Sequence, residues 1–241
     1  MEEQIIMKIF GLSDLHLGFE SEKPMDKFGN NWINHTEKIK ENWESYISST
    51  DIVLIPGDIS WAMNFKQAEK DIDYLNSLPG FKYICRGNHD YWWSSLAKVN
   101  AKTGDSITAL EKTAIELDDF ILSATKGWNS PQWEGFKPSQ DTKLYNRELE
   151  RLRLALDHAT KLQDSGKPII HMIHFPPVIE GEATEFAEIL ASYNVRLCLY
   201  GHLHGHWHNE VNMTYKGVSF KIVSADYLDF IPLDITTEVL R

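Results

Sequence analysis

Asp14 with His16, Asp58, Asn88 with His89, His174, and His202 with His204 are the residues of this chain whose types and spacing could do chemistry together. Each set follows a short apolar run. Asp14 and His16 stand two apart, as do His202 and His204, so on extended backbone each pair faces one side. Carboxylates, an amide and several imidazoles gathered in one place are the content of a metal site. Asp14, His16, Asp58, Asn88, His174, His202 and His204 are too many ligands for one tetrahedral ion. They suit two ions about 3.5–4 Å apart if one carboxylate bridges. Asp58 is the candidate bridge, because it comes from a strand of its own after Gly57.

The charge count shows what such a site could do. Two divalent ions bring about +4 and the two aspartates about −2, while His and Asn add nothing, so the cluster keeps a surplus of about +2. That surplus attracts phosphate and brings a bound water towards neutral pKa, making a hydroxide nucleophile available.

These residues need a sheet edge to converge on. Ile5–Leu12, Asp51–Ile55, Phe81–Cys85, Ile169–Phe175 and Val195–Tyr200 read as buried strands, each ending just before a chemical residue. Helices are expected over Trp32–Ser48, Phe65–Leu75, a short stretch through Leu96, Leu144–Leu162 and Glu182–Ala191. Ile107–Leu110 and Thr113–Ser123 look strand-like, 127–141 reads as a long loop, and the tail from Val211 to Leu240 looks like three strands. Strands alternate with helices early and dominate late, which predicts a layered α/β sandwich with mixed sheets. No linker, repeat or composition break divides the 241 residues, so a single domain over 1–241 is expected. In open α/β sheets, ligands bind at the strand ends.

Asp14-Leu15-His16, Gly57-Asp58, Gly87-Asn88-His89-Asp90, His174 and Gly201-His202-Leu203-His204 together resemble the calcineurin-like metallophosphoesterase family. The blocks occur in the family's order. The resemblance implies a four-layer α/β/β/α sandwich, with two mixed β-sheets flanked by helices, and a two-metal hydrolase acting on phosphate mono- or diesters. It implies that Asp14, His16, Asp58 and His204 hold one ion and that Asp58, Asn88, His174 and His202 hold the other; imidazole and carboxylate ligands suit Mn, Fe or Zn, among others. It also implies that His89 is a proton donor beside the metals, oriented by Asp90. From both lines follows an expected mechanism: a metal-bound hydroxide attacks in line and His89 protonates the leaving alkoxide.

Each residue also has an ordinary structural reading. Asp14 and Asp58 could cap following helices, and His171 and His174 could be satisfied core histidines. His206 and His208 continue the period-two series, but the family pattern stops at His204 and exposed strand histidines are expected there. His35 and His158 are expected to be solvated on helices. Six of the eight Trp, namely Trp61, Trp92, Trp93, Trp128, Trp133 and Trp207, lie in presumed loops or beside motifs. Some could wall the cleft and stack on an aromatic or nucleotide leaving group, Trp92 and Trp93 being the best placed. Arg147 could meet a distal phosphate, although a surface salt bridge is the ordinary fate of such a residue. Asp226–Asp229 is a candidate rim.

Composition narrows the rest. The chain is 42% hydrophobic and 24% charged, with a net charge of −11, which argues against a broad basic nucleic-acid face. A phosphorylated small molecule, possibly nucleotide-like, is the expected partner. Cys85 and Cys198 sit in apolar runs and are expected to be buried thiols. The acidic start and the absence of an apolar run near 20 residues give no signal-peptide or membrane-span signal, so a cytoplasmic protein is expected. Two other functions compete. A non-catalytic metal-binding scaffold of the same fold would be expected to lack ligands, yet all are present. A metallo-β-lactamase-like zinc hydrolase would want His-x-His-x-Asp-His, and His202-Leu203-His204-Gly205-His206 has no Asp.

Overall fold

Every apolar run becomes a strand, usually shorter than the run. In the computed structural model, which describes residues 7–21, 23–163, 166–205 and 212–240, the first strand is β1 (Ile9–Gly11). Residues 5 and 6 of the expected strand lie outside the described residues. The expected helix over 32–48 is narrower, α1 (His35–Tyr46), because Trp32 belongs to a preceding 3-10 turn, Asn30–Trp32. β2 (Ile52–Ile55), α2 (Phe65–Ser77), β3 (Phe81–Ile84), α3 (Leu96–Asn100) and β4 (Ile107–Ala109) fall where the pattern puts them. Asn64 caps α2, its side-chain oxygen accepting from the Gln67 N–H at 3.2 Å.

The stretch 113–123 is two strands rather than one. β5 (Thr113–Glu116) pairs antiparallel with β6 (Ile121–Thr125). The loop expected over 127–141 ends early, because α4 (Pro138–Leu162) starts with a proline, whose fixed φ suits a helix N-terminus. After β7 (Ile169–Ile173) comes a small ladder of β8 (Val178–Ile179) and β9 (Glu182–Ala183). That ladder takes the first residues of the helix expected from 182, leaving α5 (Glu185–Ser192). β10 (Leu197–Tyr200) follows, and the tail forms β11 (Met213–Tyr215), β12 (Val218–Ile222), β13 (Leu233–Asp234) and a short helix, α6 (Thr236–Leu240).

One sheet has the order β13-β1-β2-β3-β4 and the other β11-β12-β10-β7-β6-β5. Both are mixed. β1–β4 are parallel with β13 reversed, and β12, β10, β7 and β6 are parallel with β11 and β5 reversed at the edges. Three apolar clusters fill the three gaps between four layers. Trp43, Ile72 and Leu75 pack helices on the first sheet. Ile9, Leu54, Met172 and Leu199 join sheet to sheet. Leu152, Leu156 and Phe186 pack helices on the second sheet. The α/β/β/α sandwich is therefore present. Strands covered on both faces read as unbroken apolar runs, which is why Ile-Val-Leu-Ile and Leu-Cys-Leu-Tyr show no alternation.

Parallel strands end on the same side, so the ends of β1, β2 and β3 share one edge and those of β6, β7, β10 and β12 share another. A bridge aligns the two edges: Ser13 pairs with Ser224, and the Ser13 N–H donates to the Val223 carbonyl at 2.7 Å. Cys85 and Cys198 are free and buried, as expected. His171 is a satisfied core histidine between Ser123 Oγ at 2.7 Å and Thr125 Oγ1 at 3.0 Å. His158 is exposed on α4, as expected, whereas His35, at the start of α1, is half-buried. His158 Nδ1 lies 2.9 Å from Thr113 Oγ1 and accepts from the Ala114 N–H at 3.2 Å, tying α4 to β5. His35 Nε2 lies 3.3 Å from the His16 carbonyl. Among the described residues, no helix is long and apolar enough to cross a membrane.

Candidate metal centre

The predicted ligands meet at this shared rim. From β1 come Asp14 and His16, from β2 Asp58, from β3 Asn88, from β7 His174, and from β10 His202 and His204. The turns off the strands are tight. Asp14 (φ 56°), His16 (φ 45°), Asp58 (φ 51°) and His202 (φ 74°) are all left-handed, at a cost of order 1 kcal/mol each. Asp, Asn and His tolerate this backbone better than most residues. The glycines of the motifs serve close approach. A side chain on Gly87 would collide with Asp58 Oδ1, and one on Gly201 with Asp14 Oδ2.

His204 Nε2 lies 3.3 Å from Asp14 Oδ1 and 3.2 Å from His16 Nε2. His16 Nε2 is 3.9 Å from both Asp14 Oδ1 and Asp58 Oδ2. Asp58 Oδ2 is 3.4 Å from His174 Nε2, and Asn88 Oδ1 faces His174 Nε2 and His202 Nδ1, each at 2.8 Å. Two compact sets of ligand atoms result, Asp14–His16–His204 and Asp14–Asp58–His174, each within 4.8 Å. Asp14 is common to both sets by this measure. Asp58 Oδ2 nevertheless stands between the histidines of the two halves.

The arrangement fits cations. Asp58 Oδ2 is buried with no hydrogen-bond donor, a costly state for a carboxylate oxygen unless a cation meets it. Electrostatics agree. Asp14 is held down to about 2; burial opposes this, and His204 and His174 outweigh it. Asp58 is pushed lower still, against burial, mainly by His174. Burial also opposes charge on His174 and His204, yet Asp58 raises His174 to about 9, and Asp14 with Asp226 raises His204 to about 10. The carboxylates thus draw positive charge into a buried place.

The surrounding residues set ligand orientation. Asp226 Oδ1 lies 2.8 Å from His204 Nδ1, turning Nε2 towards Asp14, and Asp226 Oδ2 accepts from the Gly205 N–H at 3.0 Å. Sequence reading reached Asp226 only as a candidate rim, and no motif marks it. The Pro56 carbonyl lies 2.9 Å from His174 Nδ1. Asp71, on α2, accepts from the Phe19 N–H at 2.9 Å and from Ser60 Oγ, joining the loops after β1 and β2. Its helical pattern alone marks it only as part of α2.

Asp90 differs from expectation. Its carboxylate does not hold the His89 ring. Asp90 Oδ1 accepts from Ile59 N at 3.0 Å, Ser60 N at 3.1 Å and Trp92 Nε1 at 2.9 Å, and Oδ2 accepts from Gly87 N at 2.8 Å. Both oxygens are taken by donors of neighbouring loops, and His89 Nδ1 is buried without a partner. Asp90 therefore fastens the β2 and β3 loops together. Burial, and then the Asp58 charge, lift it to about 6. His89 itself is placed through its backbone, whose N–H donates to Asp58 Oδ1 at 2.8 Å. Its ring packs 4.2 Å from Trp61 and 5.7 Å from His16.

A cavity of about 370 Å³ opens over His16, Asp58, His89, His202 and His204. Its apolar wall is Met25, Phe28, Trp32 and Trp61. Trp92 and Trp93 are not on that wall. Both are buried in the core beside Phe65, because Trp92 must reach Asp90 and pack against Trp93. His206, Trp207 and His208 lie outside the described residues.

A sandwich of two mixed sheets between helices, with carboxylates and imidazoles gathered at one rim, is the metallophosphoesterase type of protein. The profile of the calcineurin-like phosphoesterase family matches residues 7–206, and the chain belongs to that family. Comparison with curated protein sequences gives no match. Among solved structures, the chain is similar to a protein of unknown function, AQ665, from Aquifex aeolicus, with a TM-score of 0.53 at 16% identity over 95% of this chain and 96% of that one. It is also similar to the phosphopantetheinyl hydrolase PptH of Mycobacterium tuberculosis, with a TM-score of 0.56 at 15% identity over 90% of this chain and 88% of that one. At such identities the two structures speak for the fold.

Proposed function

We propose that this protein is a dinuclear metal-dependent phosphohydrolase that cleaves phosphate mono- or diesters of small molecules. The observation that carries the reading is the orphaned Asp58 Oδ2, buried between His16 Nε2 at 3.9 Å and His174 Nε2 at 3.4 Å. A carboxylate oxygen there would serve as the bridge between two ions. Asp14, His16, Asp58 and His204 would hold one ion, and Asp58, Asn88, His174 and His202 the other. Imidazole and carboxylate ligands suit Mn, Fe or Zn. When bound, such ions supply positive charge for the phosphate and acidify water.

The chain's own groups supply the rest. His89 is tied through its backbone to the bridging carboxylate, while its ring lines the cavity beside Trp61. It is therefore close to the reacting phosphate without being a ligand, and it can give a proton to the leaving oxygen. Burial lowers its pKa, with Asp58 acting against that. The Trp61 and Trp32 wall excludes water from one side and suits an apolar or planar leaving group, including a nucleotide-like one.

The test is metal analysis followed by a panel of phosphate mono- and diesters with Mn²⁺. Two bound ions and turnover of at least one ester class are expected. Two ions with no turnover on any ester would favour a metal-binding scaffold. His89→Ala should keep both ions and lose about 10²–10⁴-fold in turnover of alkyl esters. It should lose less on p-nitrophenyl phosphate, whose leaving group needs no proton. Loss of the ions in this variant would sink the proton-donor role.

A further inference from the structure

β6 also ends at the rim, but it contributes a cation. Its next residue, Lys126, accepts at its carbonyl from the His174 and Phe175 N–H groups at 3.1 and 3.0 Å, so it sits directly beside the His174 ligand. Its side chain runs over two aromatic rings. Nζ is 4.3 Å from the Trp128 centroid and 5.7 Å from that of Phe175. Phe175 packs 5.4 Å from Trp128 on one side and 4.3 Å from the His202 ring on the other. A path of rings therefore leads from the His202 ligand to the Lys126 ammonium.

Other cations gather there. Arg147 and Arg151 are one turn apart on α4, and both reach Glu148 Oε1, at 3.2 and 2.8 Å. Arg86 ends the β3 segment just before Gly87. Glu148 is buried, and its Oε2 has no donor, so neither of its oxygens neutralises Lys126 at hydrogen-bond distance. Among the described residues, Lys126 and Arg86 have no side-chain hydrogen bond and no ion pair. Trp128 contributes a cation–π contact of about 0.5–2 kcal/mol, and the three ammonium donors of this half-buried side chain have no hydrogen-bond partner among the described residues. The Cys85 thiol lies 3.7 Å from the Thr125 carbonyl, so the next residues along the two strands, Arg86 and Lys126, leave the sheets side by side. In a chain of net charge −11, four cations against the single carboxylate of Glu148 leave a local positive surplus at the rim that suits an anion.

We propose that Lys126, with Arg86, Arg147 and Arg151, forms a subsite for a second phosphate of the substrate, beyond the ester held at the metal centre. This rests on the phosphohydrolase reading, and it narrows the substrate class to small molecules carrying two phosphates.

The test measures binding by calorimetry on the full, Mn²⁺-loaded chain, with pentane-1,5-bisphosphonate and hexane-1,6-bisphosphonate against pentylphosphonate. The better bisphosphonate should bind about tenfold or more tightly than the monophosphonate. Lys126→Met should bring that ratio towards one, and Lys126→Arg should keep most of it. Arg147→Gln, a half-exposed position that folding tolerates, should lower the ratio by about threefold. Equal wild-type affinity for the mono- and bisphosphonates overturns the subsite and leaves the phosphohydrolase reading standing. Binding of neither compound overturns both. A Lys126→Met variant that weakens both compounds alike, or neither, also overturns the subsite.

Discussion

On the His16 side of the rim, Met25, Phe28, Trp32 and Trp61 wall a cavity of about 370 Å³. On the His202 side, Phe175 and Trp128 lie under Lys126, and α4 carries Arg147 and Arg151, both paired with Glu148. Both flanks are aromatic and both touch ligands, yet one presents apolar surface and the other positive charge. The difference follows from where each comes from. The candidate ligands leave parallel strand ends, so the sheets fix their direction. The flank side chains come from the 3-10 turn Met25–Phe28, from Trp61 beyond Asp58 in the loop after β2, from Phe175 beside His174, and from the outer helix α4, and none of them is a candidate ligand. They are free to select what surrounds the phosphate. The ligand set therefore speaks for the reaction, and the flanks for the substrate.

Asp58→Ala should end the comparison by removing what the flanks share. Both ions should be lost or disordered, with turnover down at least about 10³-fold. Metal analysis checks this, and a variant retaining two ions would refute the bridge. Asp226→Asn should act on the His204 half alone. Weakening the support of one imidazole should cost about 10–100-fold in affinity for one ion while the second ion binds as before, as metal titration would resolve. Equal weakening of both ions would mean that the halves are not separable. Trp61→Ala should be smallest, raising KM for an aryl or nucleotide phosphate about threefold to tenfold through lost stacking. An alkyl phosphate should change less. Equal effects on both esters would make the apolar flank a packing device and not a selective one.

Much of the architecture was legible in sequence because parallel strands covered on both faces cannot hide polar residues. The runs before Ser13, Pro56, Arg86, Phe175 and Gly201 each mark a strand. The candidate ligands were legible because they stand at the ends of these runs, most of them beside a motif glycine. Where the reading failed, local pattern competed with distant contacts. Trp32 has helical spacing but belongs to a 3-10 turn, held there by packing with His16 and Phe230. Trp92 and Trp93, adjacent to the motif, turn into the core because the Trp92 N–H is needed by Asp90. Asp90 is spaced to serve His89, yet it spends both oxygens on loop donors.

The sequence by itself determined the kind of site: which candidate ligands are available and that each stands at a strand end. Those are matters of residue type and short-range spacing. Only the tertiary structure decided which oxygen of Asp58 is left without a donor, that Asp226 turns His204, that Trp61 rather than Trp92 walls the cavity, and that Lys126 has no acid partner among the described residues. Each of these joins residues from different loops, and no spacing along the chain encodes which of them will meet.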